Sequence, residues 1–362
     1  MNDKTSLQAI GYDAFYATFN TPLAQQIRRE VYGKDIGQHS WVDAQDLERD
    51  TGRLQLSSAS RLLDLGCGPG GLLSFVVGLT GCRGTGLDLS AAAIDCAATR
   101  MASLGLTDCA TLQVADLDEP LPLDRHSFEA VMSLDVILHL RNRSQAFAEV
   151  ARVLVPGGRF LFTDAAIVTG PVSDDEIRLR SVHGRTNFVP PGFNERTLEQ
   201  AGLRVLATID RTASLQAIAA RRQAARLAHR TELERVEGPE AFDRHQRYLD
   251  CVCALARRGA MARMMYVAES LGMPHDSFLQ AECGAARSFR SDLGRRPRQR
   301  LYSAYFSSSN GDRHKRPLPQ VGSVRHGSAA PVRLIELQTH SLRRPPASAA
   351  RPRAAASENA RL

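Results

Sequence analysis

Cysteine is present in this chain but never in a pattern that does chemistry. The seven thiols among its 362 residues, Cys67, Cys82, Cys96, Cys109, Cys251, Cys253 and Cys283, are scattered, odd in number and contain no C-x-x-C pair. That excludes a disulfide framework and a thiolate zinc site, so reduced thiols and no bound metal are expected. Long apolar runs are missing too. None approaches the roughly 18 residues that cross a bilayer, which argues against a membrane partner. Residues 1–10 are polar and mixed in charge, without the basic segment and apolar stretch of a secretory signal, so a cytoplasmic location is expected.

The main body of the chain also lacks the basic charge of a nucleic-acid binder. Residues 274–362 hold 16 Arg or Lys against 6 Asp or Glu, a surplus of ten; the chain's net +7 therefore leaves −3 on residues 1–273. Beyond about Pro274 periodicity vanishes, and 8 of the 17 prolines fall in this last quarter. Such a segment buries too little apolar surface to offset the entropy of ordering, and disorder is expected over 273–362. Its charge leaves an RNA-binding or regulatory role as an alternative of a different class, one confined to the tail.

What the sequence does contain is alternation. Short apolar runs at 61–65, 83–87, 110–114, 128–134 and 159–163 are separated by helical patterns, which predicts a parallel sheet covered by helices. Ser90 is a candidate N-cap for a helix carrying Ala93, Ile94, Ala97, Ala98, Met101 and Leu104, and Pro156-Gly157-Gly158 is read as the stop of the helix before the fifth strand. A helix over 195–201 and strands at 205–209 and 264–268 complete seven. Residues 213–258, broken at Gly238-Pro239, read as two helices joined by a turn and inserted between the last two strands. The expected fold class is α/β, Rossmann-like and doubly wound. A helical cap (1–58) precedes the core (59–212), and a helical lid (213–258) precedes the last core strand (259–272).

The segment Leu62-Leu63-Asp64-Leu65-Gly66-Cys67-Gly68-Pro69-Gly70-Gly71 runs from a buried strand into a helix N-terminus, where glycines let a ligand lie against the backbone. It lacks the Gly-Lys-Ser/Thr of a P-loop. Asp88, about 20 residues on at the end of the second strand, stands where nucleotide-binding α/β folds hold ribose hydroxyls.

The form Asp-Leu-Gly-Cys-Gly-Pro-Gly resembles motif I of the class I S-adenosylmethionine-dependent methyltransferases, and residues 11–270 follow that family's motif spacing. The resemblance implies S-adenosylmethionine as cofactor, with Gly66, Gly68 and Gly70 packed beneath it. It further implies Asp88 on the ribose, Leu89 beside the adenine, Asp116 facing the adenine amino group with Leu117 next to it, and Leu134 also in contact. Residues 133–140 look like their counterpart in sarcosine/dimethylglycine and phosphoethanolamine N-methyltransferases, and residues 31–41 like those enzymes' N-terminal cap. Ser40 would then touch the cofactor carboxylate, Tyr32 or Gln38 would line the pocket, and Tyr12 and Tyr16 are nearest to the family's tyrosine.

The acceptor side follows from chemistry as well. Methyl transfer from a sulfonium is an in-line displacement that needs an acceptor lone pair held opposite the sulfur. Asp135 and His139, four apart at the end of the fourth strand, are the expected catalytic pair: a carboxylate to attract an ammonium and an imidazole to remove its proton. The expected partner is a small-molecule acceptor, an amine, with O- or C-methylation of a metabolite as the alternative. Residues 165–191 hold no compact Lys or Arg cluster, only Arg178, Arg180 and Arg185, so a phosphobase is not expected. Oligomeric state is not readable.

Overall fold

The computed structural model describes Asp13, residues 15–181 and residues 184–272. The tail over 273–362, Cys283 and Tyr12 lie outside the described residues.

One seven-stranded sheet organises the described chain, in the order β3-β2-β1-β4-β5-β7-β6. The strands are β1 (Arg61–Leu65), β2 (Arg83–Asp88), β3 (Ala110–Val114), β4 (Phe128–Leu134), β5 (Leu154–Val168), β6 (Leu203–Asp210) and β7 (Met261–Ser270). β1 to β5 are parallel, and β7 runs antiparallel between β5 and β6. The inner strands are buried on both faces and therefore read as continuous apolar runs, whereas edge strand β6, buried only at Leu203, alternates exposed and partly buried side chains. This is the α/β, mostly parallel, Rossmann-like sheet that the alternation predicts.

The helices are α1 (Pro22–Tyr32), α2 (Ala44–Thr51), α3 (Gly71–Thr80), α4 (Ala91–Ser103), α5 (Arg143–Val153), α6 (Asp174–Arg180), α7 (Phe193–Gln200), α8 (Thr212–Ala228), α9 (Arg230–Glu237) and α10 (Pro239–Arg257). Their starts are legible locally. Thr21 caps α1, with Pro22 in the first turn; Ser90 caps α4, accepting from the Ala93 N–H at 3.1 Å; Ser173 and Glu176 form a reciprocal capping box on α6.

Two expectations need correction. The helix before β5 ends at Val153, ahead of Pro156-Gly157-Gly158, and β5 already begins at Leu154. The proline and glycines lie within the strand as an insertion: Phe128 pairs with Leu154 and Ala130 with Arg159, so four residues of β5 bulge opposite Glu129. The segment after β6 is three helices. Besides Gly238, the chain breaks at His229, where no glycine or proline marks it; the His229 imidazole instead reaches Glu30 of α1 at 3.0 Å, a tertiary contact that the local pattern does not encode.

Cap and insertion share a core. Val31, Tyr32 and Trp41 pack with Leu215, Ile218, Ala219, Tyr248, Leu249 and Val252, so α1 and the loop after it are roofed by α8 and α10. No described helix is long and apolar enough to cross a membrane.

Candidate active site

A cavity of about 560 Å³ opens at the carboxyl ends of β1, β2 and β4, beneath that roof. In open α/β sheets this is where ligands bind.

Its first half is the glycine loop. Gly66 and Cys67 donate their N–H groups to Leu87 O, which clamps the turn onto β2, and Gly68 N–H reaches an Asp88 carboxylate oxygen at 2.8 Å. Gly66 has a φ of +75° and lies so close to Val136 that an added Cβ would meet its methyls at 2.5 Å, so only glycine fits. Gly66 and Gly68 line the cavity; Gly70 does not. It is the left-handed N-cap of α3 and backs onto Ala97. Gly71, not singled out from the sequence, lines the cavity and lies against the Gly37 carbonyl, docking the cap directly on the loop.

Asp88, Leu89, Asp116, Leu117, Leu134 and Ser40 all line the same space. The two Asp88 oxygens accept from Gly68 N–H and, at 2.9 Å, Ser90 N–H, which leaves further lone pairs on each for hydroxyls. Burial pushes the Asp88 carboxyl above the ordinary range, opposed in part by those N–H donors. Asp116 is positioned by Arg141 at 3.5 Å, and accepts the Asp118 N–H at 3.0 Å. The Ser40 hydroxyl is buried and pairs with nothing in the described structure. An orphan donor beside a glycine cradle, with two acid-terminated strands opposite, suits a ligand with a carboxylate at one end and ribose hydroxyls in its middle.

The other half surrounds the end of β4. Asp135 takes a φ of +62°, rare for a residue with a Cβ, and its carboxylate turns inward. It accepts from Trp41 N–H at 2.9 Å, Thr163 Oγ1 at 2.9 Å, and Arg263 Nε and Nη2 at 2.8 and 3.0 Å. Burial acts to raise its pKa, but the Arg263 charge and the converging donors outweigh it and hold the group below the ordinary carboxylate range. Asp135 thus faces the cavity with its charge already answered by a buried arginine. As placed, it ties cap, β4, β5 and β7 together and has little charge to offer an ammonium.

His139 closes the short turn Ile137–His139 and lines the cavity with Asp135. Its Nδ1 lies 2.6 Å from Arg185 O. A carbonyl only accepts, so Nδ1 carries the proton and the neutral ring keeps its lone pair on Nε2. Burial, reinforced by the positive charge of Arg180, depresses the pKa, so the ring is neutral at neutral pH.

Sequence reasoning missed Arg263, Trp41, Tyr248, His245 and Arg244, which come from the cap, the last strand and the insertion. Of the residues it raised, Tyr16 lines the cavity opposite Gly68. Tyr32 and Gln38 lie behind the wall: Tyr32 donates to Ser40 O at 2.9 Å, and Gln38 braces the turn through Ile36 N–H and Lys34 O. Arg178 points to solvent and pairs with Asp175.

Residues 63–162 match the family model described as a methyltransferase domain. Methyltransferase GfsG of Streptomyces halstedii is 30% identical over 162 residues, 42% of this chain and 58% of that protein. The glycine/sarcosine/dimethylglycine N-methyltransferase of Actinopolyspora halophila is 33% identical over 165 residues, 43% of this chain and 28% of that protein. The chain therefore spans little more than half the length of the first and under a third of the second. Among solved structures, Haemonchus contortus phosphoethanolamine N-methyltransferase 2 in complex with S-adenosyl-L-methionine superposes with a TM-score of 0.61 at 18% identity, over 72% of this chain and 60% of that one.

Proposed function

We propose that this chain, whose residues 63–162 match a methyltransferase domain, is a class I S-adenosylmethionine-dependent methyltransferase that transfers a methyl group to a small-molecule acceptor, with an amine nitrogen as nucleophile. The observation that carries the reading is one continuous cavity that joins the glycine cradle, Asp88 and Asp116 at one end to His139 at the other.

Gly66 and Gly68 would lie under the donor, Asp88 would hold its ribose, Leu89, Asp116 and Leu117 its adenine, and the orphan Ser40 hydroxyl its carboxylate. When bound, S-adenosylmethionine supplies a methyl group on a positively charged sulfur. His139, neutral and with its lone pair on Nε2, accepts the proton that masks the acceptor nitrogen. Its Nδ1–H bond to Arg185 O fixes the tautomer and the ring plane. Asp135 acts through structure: with Arg263 and Thr163 it fixes the wall from which His139 projects. The roof from α8 and α10 excludes water, which strengthens every electrostatic contact inside and aligns the acceptor.

The test is a methyl-donor turnover screen over amines, phenols and carboxylates, read by product mass spectrometry, on the wild type and His139→Ala. Loss of a general base costs about a hundredfold or more in turnover, with S-adenosylhomocysteine affinity retained. Because the His139 pKa lies below its ordinary value, wild-type activity should hold through neutral pH and fall only on the acid side. Unchanged turnover in His139→Ala on the true substrate removes the base assignment.

A further inference from the structure

The turn that carries His139 is held by a second stretch of chain laid across it, and one side chain sets where that strap lies.

The strap is part of the segment between α6 and α7. The Arg185 carbonyl accepts the His139 Nδ1–H at 2.6 Å, and two residues further on Asn187 grips the same turn twice. Its backbone N–H donates to Leu138 O at 2.7 Å, and its side-chain Nδ2 donates to Leu140 O. Those two carbonyls flank His139 in the chain. The bond that decides the state of the imidazole is thus kept in register by the two that Asn187 makes.

Asn187 is anchored from behind. Its carbonyl accepts from Nη2 of Arg143, the first residue of α5, while Arg143 Nη1 donates to Asp164 of β5 and, at 2.9 Å, to Asn194 Oδ1 of α7. The Asn194 amide closes the ring on Asp164 Oδ2 at 2.9 Å, and the other Asp164 oxygen accepts the Ala166 N–H at 2.9 Å. Arg143, Asp164 and Asn194 are 5%, 0% and 0% exposed. None of the three lines the cavity, and neither does Asn187. A buried ion pair adds little net stability over apolar packing, because desolvation offsets its attraction. What this one does is fix the Asn187 carbonyl, and with it the strap, to the sheet.

We propose that Asn187 is a positioning residue: by holding the strap to the Leu138 and Leu140 carbonyls it keeps Arg185 O against Nδ1, and so fixes His139 as the Nδ1–H tautomer. The hydrogen bond at one ring nitrogen determines which nitrogen carries the proton. Once the carbonyl moves away, a neutral imidazole prefers its proton on Nε2, and the base then presents a proton where it needs a lone pair. The use of that lone pair rests on the methyl-transfer reading; the tautomer depends on neither donor nor acceptor.

The test is a long-range nitrogen–proton correlation spectrum of the full, ligand-free chain carrying isotope-labelled histidine, recorded above the His139 pKa. The sequence holds 10 histidines, and the signal lost in His139→Gln identifies the ring. The wild type should show Nδ1–H. Asn187→Ala removes the bond to Leu140, and Asn187→Asp keeps the size but sets an oxygen against that carbonyl; in both the ring should become predominantly Nε2–H. Circular dichroism and S-adenosylhomocysteine affinity should be unchanged. On an amine found by the turnover screen, kcat should fall about tenfold or more with KM little altered. A merely structural defect would reduce the folded fraction without changing the tautomer of what stays folded. A tautomer switch in a chain that methylates no amine supports the positioning role and overturns the methyl-transfer reading. Nε2–H in the wild type, or Nδ1–H retained in a folded Asn187 variant, overturns the proposal. Unfolding of both variants overturns it as well, since a side chain that only positions a ring is not needed to hold the sheet.

Discussion

Asp64 should make the ligand-free protein lose stability as pH rises, and replacing it with asparagine should remove that dependence. The side chain lies within the buried run of β1, is 2% exposed, and one of its oxygens has no hydrogen-bond partner among the described residues. Burial, with Asp88 nearby, pushes its carboxyl up to about 8, against about 3.9 for a solvated aspartate. The folded state therefore binds a proton that the unfolded chain has released. Stability from this group is complete below pH ~4 and is lost as pH rises toward the folded value. About four pKa units at 1.36 kcal/mol each give a loss on the order of 5 kcal/mol across that window. Asp64→Asn keeps the shape and cannot ionise, although its unpaired amide costs about 1 to 3 kcal/mol at every pH. Urea unfolding of the ligand-free chain, followed by circular dichroism at pH 5, 6, 7 and 8, should show the difference between variant and wild type moving steadily in the variant's favour as pH rises. Apart from Asp88 and Cys67, which lie close enough to feel the Asp64 charge, the other titrating groups contribute equally to both chains. Parallel stability curves for the two proteins would refute the assignment of a proton to Asp64.

Three further expectations follow from the geometry. Arg263→Met leaves the buried Asp135 carboxylate uncompensated and should cost about 3 to 5 kcal/mol in thermal unfolding, with part recovered when Asp135→Asn is added; a loss that the second substitution does not relieve would mean the pair is not the cause. Gly71→Ala places a methyl against the Gly37 carbonyl, so calorimetry should show S-adenosylhomocysteine binding weakened by an undocked cap while circular dichroism is little changed. Residues 1–272 alone should fold and bind S-adenosylhomocysteine, since the sheet ends at Ser270; loss of binding on deleting 273–362 would assign the tail a part in the site.

The donor half of the site was legible because its residues are near neighbours in sequence. One strand, one turn and one helix place residues 62–71, and Asp88 sits at the end of the adjacent strand, so periodicity and glycine spacing sufficed. The spacing does not say that Gly70 backs onto Ala97. The acceptor half was much less legible. Asp135 and His139 could be found, but not the state of Asp135, because Arg263 belongs to a different strand. His229 breaks the helical insertion through a contact with α1, and Leu154 enters β5 early by pairing with Phe128 across a bulge. Both are tertiary effects that leave no mark in local propensity.

The pairing of Asp135 with Arg263 also sets an order of assembly. The two are 128 residues apart, with the whole helical insertion between them, while the donor cradle closes within the span from β1 to β4. A chain emerging from the ribosome can build the cradle long before β7 exists, yet until that strand slots between β5 and β6 the Asp135 carboxylate is an uncompensated charge and the wall bearing His139 is unsupported. The glycine cradle can thus form early in synthesis, whereas the Asp135–Arg263 wall can form only with the last strand.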